Sequence, residues 1–387
     1  MKLQSLNKNV LIVTIWDNKN HGNRLQNYAL QEVIKTLGCT VRTATFDPHP
    51  YVRRLVGKKA KLKEFVKKIL ALLGSPKYRQ YFINLKAAPI IWDQRERVGG
   101  AFSERYVPDT EYIGKFEDVT NIDLSGYDVV VAGSDQIWHL WNPGEEQEEI
   151  TYYSLSYIPE EKRVVYAGSF GFDIVPEERI DRYREILNGY RSISVRENTG
   201  AKIVKQLTGR DVPVVLDPTL MLNAAQWEKI ETRPANAPEK EYILVYALGR
   251  KSPDFEADIL EYQKRLNCDV VDMLKRDKTG MEYPYGPSDF VYLIHHAEAV
   301  LTDSFHGTVF SVIFRKEVRV YQRINQFDMS DRIRTLAGFL GLEEHRSGKG
   351  RILSIDLQDN WDEIEERLEA EKARSLTYLV DALRGSC

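Results

Sequence analysis

Cysteine is scarce in this chain: Cys39, Cys268 and Cys387 stand far apart among 387 residues. That count excludes a disulfide scaffold and offers no paired spacing for a zinc knuckle, so a reducing cytoplasm is the expected compartment. Long apolar runs are missing too. No segment approaches the roughly 20 residues that a membrane-spanning helix needs, and the polar, charged start from Met1 to Asn9 carries no secretory signal. Neither sign of charge dominates. Against 57 Asp and Glu stand 54 Lys and Arg, a net −3 that argues against a general nucleic-acid binder. The Walker loop, the Rossmann glycine triplet, HExxH and GxSxG are all absent, so P-loop hydrolysis, zinc proteolysis and serine esterase chemistry lose their usual signatures.

What the chain does contain is a repeated strand, turn and helix. At this length, with 43% hydrophobic content, it can bury two cores of ordinary domain size. Val10–Ile15 is a near-continuous apolar run, the mark of a strand buried on both faces. After the turn Asp17–Gly22, the residues Leu25, Tyr28, Ala29, Val33 and Leu37 recur at helical spacing up to Gly38, a helix stop. Thr40–Phe46, Asp128–Ala132, Arg163–Ala167, Ser192–Val195 and Val212–Leu216 read as further strands. Near residue 220 the rhythm restarts. Asn223–Glu239 reads as a linker, and Tyr242–Ala247, Cys268–Met273, Ala299–Thr302 and Glu317–Tyr321 as a second strand set.

The fold class expected from this alternation is α/β, with two doubly wound Rossmann-like domains facing a cleft. The N-terminal domain covers 1–222, the C-terminal domain 223–355, and a C-terminal helix within 356–387 packs back on the body. Chemistry belongs where strands end in turns. The run Leu301–Thr308, LTDSFHGT, follows an apolar strand and aims the His306 imidazole out of the end of a sheet. Ser194–Glu197 turns in the same way and presents Arg196, and together the two suggest a site for a small anion. Three further clusters stand at strand ends, His21–Asn27, Gly133–Trp138 and Gly168–Ser169, and free amides at such helix starts attract anions.

The strings NRLQNYALQ at Asn23–Gln31, AGSDQIW at Ala132–Trp138, SVRE at Ser194–Glu197, LDPT at Leu216–Thr219 and TDSFHGT at Thr302–Thr308 resemble, in this order, the polysaccharide pyruvyl transferase family. The resemblance runs from about residue 10 to about residue 325 and implies a two-domain fold like the B-type glycosyltransferases. It also implies phosphoenolpyruvate as donor and co-substrate, with no metal and no other cofactor. The implied acceptor is a glycan, the sugar of a cell-surface polysaccharide precursor of exopolysaccharide or capsule type. The implied product is a pyruvate ketal bridging two sugar hydroxyls, with release of phosphate. Carried over residue by residue, the donor side is Arg196, Ser304, His306 and Gly307. Where some members have an Arg two positions before the His, this chain has Ser304, so amides around Gly307, or Arg332 or Arg334, would supply the missing contact.

A guanidinium can fork onto a carboxylate or phosphate while staying charged, which suits Arg196 to donor binding. His306, titrating near neutrality, would deliver a proton to the enol methylene or bind phosphate as imidazolium. The catalytic pair expected is His306 with Asp135, which would accept a sugar hydroxyl proton, as Glu197 also could. Asn23, Gln26, Asn27, Gln136 and Trp138 make the acceptor side, Trp138 offering an apolar face to a sugar ring. Each has a plainer alternative: Trp138 in the core, Asp135 as a helix N-cap, Arg196 paired with Glu197 or Asp217, and His295 and His296 structural. Rival functions are a nucleotide-sugar glycosyltransferase of the same fold, disfavoured because no clear ExxxxxxxE string stands among the second set of strands, and a non-catalytic glycan-binding protein.

One segment departs from the average charge. Residues 53–73 carry Arg53, Arg54, Lys58, Lys59, Lys61, Lys63, Lys67 and Lys68 against Glu64 alone, with Leu62, Phe65, Val66, Ile69, Leu72 and Leu73 at helical spacing. Such a basic amphipathic helix is either a solvated face over the core or a peripheral contact with an anionic membrane, at the inner face of the cell membrane if the acceptor is lipid-linked.

Overall fold

The computed structural model describes residues 5–45, 58–114, 123–139, 152–324, 330–342 and 350–386, with side-chain surroundings described from residue 65 onward in the second span. Phe46, Arg53 and Arg54, and the side chains of Lys58, Lys59, Lys61, Leu62 and Lys63, lie outside the described residues.

Two sheets carry the chain. The first holds β1 (Asn9–Val13), β2 (Thr40–Thr45), β3 (Thr110–Tyr112), β4 (Val129–Ala132), β5 (Arg163–Gly168) and β6 (Ser192–Val195), all parallel in the order β3-β2-β1-β4-β5-β6. That order, reversing at β1, is the Rossmann arrangement, and its crevice lies at the strands' carboxyl ends. The second holds β7 (Tyr242–Tyr246), β8 (Asp269–Asp272), β9 (Ala299–Thr302), β10 (Glu317–Tyr321) and β11 (Arg351–Ile355) in the order β11-β10-β9-β7-β8, parallel except for the edge strand β11. Strand β1 shows why its sequence is apolar throughout. Val10 and Ile12 enter one core while Leu11 and Val13 enter another, and all four are fully buried.

Helices cover both sheets. In the first half they are α1 (His21–Thr36), α2 (Lys58–Leu72), α3 (Pro76–Tyr106), α4 (Ile180–Asn188), α5 (Asn198–Thr208) and α6 (Ala224–Glu228). In the second they are α7 (Pro253–Leu266), α8 (Pro287–His295), α9 (Phe305–Ile313), α10 (Ser330–Phe339) and α11 (Trp361–Arg384). Helix α1 starts on Asn20, whose side chain accepts from the Asn23 amide, and stops before Gly38 at φ +75°. The terminal helix α11 returns to the first half. Ser375 Oγ accepts from the Leu216 amide at 3.0 Å, Tyr378 OH donates to the Val165 carbonyl at 2.8 Å, and Arg191 reaches the Ala382 carbonyl.

Two expectations change. Val212–Leu216 forms one bridge, Val214 to Val195, because Pro213 has no amide with which to extend a ladder. Asn223–Glu239 is not a plain linker: a capping box between Asn223 and Gln226 opens α6, and Trp227 is fully buried against Tyr28 and Phe310. The sequence reading placed no element over α3, one 31-residue helix that runs through Pro89 and through Gly99 and Gly100. Pro89 removes a single backbone donor from it, and a Cβ at Gly99 would overlap the Asn18 carbonyl, so α3 lies directly on the loop before α1.

Candidate functional site

The carboxyl ends of β4, β5 and β6 meet the starts of α1 and α9 where the two sheets face each other. Arg196 leaves β6 with its amide bound to the Gly168 carbonyl at 3.1 Å, and its side chain is 1% exposed. Its Nη1 donates to Asp217 Oδ2 at 2.6 Å and its Nη2 to Asp135 Oδ1 at 3.2 Å. Asp217 is held from its other oxygen by the Thr219 amide and hydroxyl, at 3.0 and 2.6 Å. Asp135 stands at φ +77°, where it also accepts from Asn23 Nδ2 at 3.2 Å. It is not a helix N-cap. The preceding Gly133, at φ +113°, is required because a Cβ there would run into the Tyr166 carbonyl.

From the second sheet comes His306, the second residue of α9, a helix capped by Ser304 Oγ, which accepts from the Gly307 amide at 3.3 Å. Its Nε2 lies 3.8 Å from Asp217 Oδ2 and makes no hydrogen bond. Arg196 stands over the Phe305 ring at 4.8 Å and Arg332, from α10, over the same ring at 5.8 Å. Thus two cations of different halves share one aromatic ring. Glu197 takes the Phe170 amide at 3.1 Å and lines a recess of about 10 Å³ with Gly171, Phe172, Thr199, Asp331 and Arg332.

Burial and charge set the protonation states. Burial pushes the Asp135 carboxyl up, and Arg196, His306 and Arg332 more than reverse it, holding it at about 2. Asp217 is likewise raised by burial and brought below the ordinary carboxylate value by Arg196 and His306. Glu197 goes the other way, because burial outweighs Arg196 and Arg332. Burial also lowers His306, Asp217 only partly opposing it and Arg196 adding to it, so the imidazole is neutral at pH 7. Arg332 is lowered to about 10 by burial and by Arg196.

Of the residues expected on the acceptor side, the structure brings Asn23 to the site and places Gln136, 6% exposed, with its amide against Gly171. Gln26 and Asn27 are fully buried behind it, donating to Thr14 Oγ1 at 3.0 Å and Thr43 Oγ1 at 2.8 Å, and so brace α1 against β1 and β2. Trp138 is corrected outright. It is fully buried, 4.6 Å from the Phe170 ring, with its indole N–H on Tyr190 OH at 3.2 Å, and no sugar can rest on it. Outside the cleft, His295 Nδ1 and His296 Nε2 share the Glu231 carboxylate at 2.9 and 3.3 Å, a grouping the sequence does not announce because Glu231 lies on another element.

Sequence reading placed Gly22 only within the His21–Asn27 cluster and gave it no role of its own. A Cβ there would overlap the His306 ring at Nδ1, so this residue of the first half must be bare for the second half's imidazole to seat. Gly22→Ala is expected to displace His306 and lower turnover by about tenfold or more, while overpacking costs roughly 1–3 kcal/mol of stability. Steady-state kinetics beside thermal unfolding checks it, and wild-type turnover in a folded variant would contradict the contact's importance.

Two mainly parallel α/β sheets facing across a cleft make a two-domain Rossmann-like architecture of the B-type glycosyltransferase kind, and at the cleft an arginine and two carboxylates of one half meet a histidine of the other. Among solved structures it is similar to the UDP-GlcNAc 2-epimerase from Neisseria meningitidis bound to UDP-GlcNAc, at 12% identity and TM-score 0.49, covering 97% of this chain and 99% of that one. It is also similar to the E. coli ADP-heptose LPS heptosyltransferase II, at 10% identity and TM-score 0.33, covering 95% and 99%. No curated protein sequence matches it. The family model for polysaccharide pyruvyl transferase matches residues 20–323, and the chain belongs to that family.

Proposed function

We propose that this protein transfers the pyruvyl group of phosphoenolpyruvate to a glycan, forming a ketal across two hydroxyls of a cell-surface polysaccharide precursor. The observation that carries the reading, in a chain of this family, is the cluster of Arg196, Asp135 and Asp217 from one half against His306 from the other. One hydroxyl adds to the central enol carbon as a proton goes to the methylene. Phosphate then leaves with the carbon–oxygen electron pair, and the second hydroxyl closes the ring, its proton going to phosphate or to solvent.

Roles follow from protonation. His306, neutral with an unpartnered Nε2, suits the base that takes a hydroxyl proton rather than the acid expected from sequence. Asp135, held at about 2, is too weak a base for that task and instead orients Arg196 and Asn23. Glu197, raised by burial, is the carboxyl suited to hold a proton. Arg196 spends its fork on two carboxylates, which leaves Arg332 as the second cation for a donor carboxylate or phosphate, the part opened by Ser304. The recess beside Arg332, with Glu197 and Asp331 in its lining, is where the donor would meet that cation. The reading extends to a cytoplasmic enzyme whose acceptor hangs from a lipid at the inner face of the membrane, supported by the scarcity of cysteine and the surface described next.

The test is incubation with labelled phosphoenolpyruvate and a panel of lipid-linked and nucleotide-linked glycans. The expected result is phosphate release with a glycan gaining the mass of one pyruvate less one water. Isothermal titration separates the rivals: a nucleotide-sugar glycosyltransferase would bind the nucleotide sugar and not the donor, and a glycan-binding module would take neither. With Arg332→Gln, the apparent KM for phosphoenolpyruvate is expected to rise about tenfold or more, the loss of one charge-assisted contact. An unchanged KM overturns that role.

A further inference from the structure

Helices α2 and α3 form a hairpin that stands out from both sheets, with Ser75 capping the turn between them. Its internal contacts use one side of α2: Lys67 Nζ lies over the Tyr81 ring at 4.2 Å and the Ala71 carbonyl accepts from Arg79 Nε at 3.2 Å. The apolar residues point elsewhere. Phe65 is 60% exposed, Leu72 77% and Leu73 78%, with Val66 and Ile69 exposed beside them. The apolar exposure continues along α3 at Ile83, Leu85, Ile90 and Trp92. Nine of the fifteen large apolar side chains exposed among the described residues therefore sit on this one hairpin, too many in one place for ordinary surface scatter.

Charge names the occupant. Between Arg53 and Trp92 the chain has eleven Lys and Arg and one acid, Glu64, although acids outnumber bases over the chain as a whole. A second copy of this chain would bring the same cations against these, and like charges would oppose the contact. An anionic lipid surface instead satisfies both features: its headgroups take the lysines, and its acyl boundary takes the phenylalanine and leucines. No helix among the described residues is long and apolar enough to cross a membrane, so the contact would lie in the interface plane.

We propose that the α2–α3 hairpin is a membrane-docking element that lays its Phe65, Ile69 and Leu72 face into an anionic lipid surface. Helix α3 links that surface to the cleft. Its far half binds the loop before α1, through Ser103 Oγ on Asn18 Oδ1 at 2.9 Å and Lys19 Nζ on Glu96 at 3.1 Å, and it meets the second half through Arg95 Nε on Glu282 at 2.6 Å. Docking therefore presents the cleft to whatever the membrane carries. The proposal stands apart from the pyruvyl-transfer reading, and its test is read without turnover.

The test is cosedimentation of the full chain with vesicles of phosphatidylglycerol and phosphatidylcholine mixed about one to two, against phosphatidylcholine alone. The wild type should pellet with the anionic vesicles at low salt, and about tenfold less with the neutral ones or at high salt. Phe65→Ser, Ile69→Ser and Leu72→Ser together, and separately Lys58, Lys59, Lys61 and Lys63→Glu, should each reduce pelleting about tenfold with an unchanged circular dichroism spectrum. Phe65, Ile69 and Leu72 are exposed, so the serine variant acts on surface positions, and the wild-type salt dependence is decisive by itself if a variant misfolds. Failure of the wild type to pellet at low salt overturns the proposal. So does a dimer in sedimentation velocity that the serine variant dissociates, since the face would then belong to a second copy.

Discussion

His306→Ala is expected to cut turnover by about a hundredfold or more in a protein that still folds, the usual weight of a positioned proton-transfer group. The imidazole sits at the seam of the halves, 3.8 Å from Asp217 and against Gly22, with Nε2 unpartnered, so removing it frees space without stranding a buried partner. Its titration gives the sharper measurement. Burial holds its pKa below 6.5, so a base that must be neutral is ready across pH 7 to 8, and kcat/KM of the wild type should fall only on the acid side, below about 6.5. His306→Gln, unable to titrate, should lose that acid limb along with most of its rate. Unimpaired turnover in both variants would remove His306 from the chemistry.

The second large effect is on stability. Arg196→Ala strands Asp135 and Asp217, both buried, and breaking such a set by removing one partner costs about 3–5 kcal/mol. The pH dependence has a definite sign. In the wild type both carboxyls are held below their ordinary values, so the stability they contribute is present above about pH 4 and lost as pH falls toward 2. Without the guanidinium the strongest opposing charge is gone and burial raises both against only His306, Arg332 and the Asn23 and Thr219 hydrogen bonds, so the variant's deficit should be largest near pH 7 and shrink as the medium is acidified toward pH 4. Urea midpoints at the two pH values measure this. A deficit that stays constant with pH would show that Arg196 does not neutralise the pair. Arg196→Lys, a point charge able to serve one carboxylate at a time, should fall between.

Much of the scaffold was legible because parallel strands buried on both faces are mainly apolar, even where Ser194 or Arg319 interrupts them. Ser192–Val195, Ala299–Thr302 and Glu317–Tyr321 have the ends that their residues suggest. Strand β11 was not legible: it is an antiparallel edge, half-buried at Arg351, Ile352 and Ser354, and lacks that signal. Helix α3 hides behind Pro89 and paired glycines, whose cost is met by packing against α1 and α8 rather than by propensity. In the site, Arg196 and His306 were visible because each ends a strand in a polar turn. Gly22 was not, because its requirement arises only when a residue from the other half arrives. Trp138 shows the opposite failure: an aromatic at a strand end carries no mark of whether it faces the cleft or the core, and here it faces Phe170 and Tyr190.

The return of α11 to the first half means that the chain crosses between the halves twice, once after Asp217 and again before Trp361. A body attached at one point can swing freely, but one attached at two can only turn about the line joining them, like a door on a pair of pins. Any movement of one half against the other is therefore confined to a rotation about that line. Along that one arc the His306 ring has a single seat, between Gly22 and Asp217.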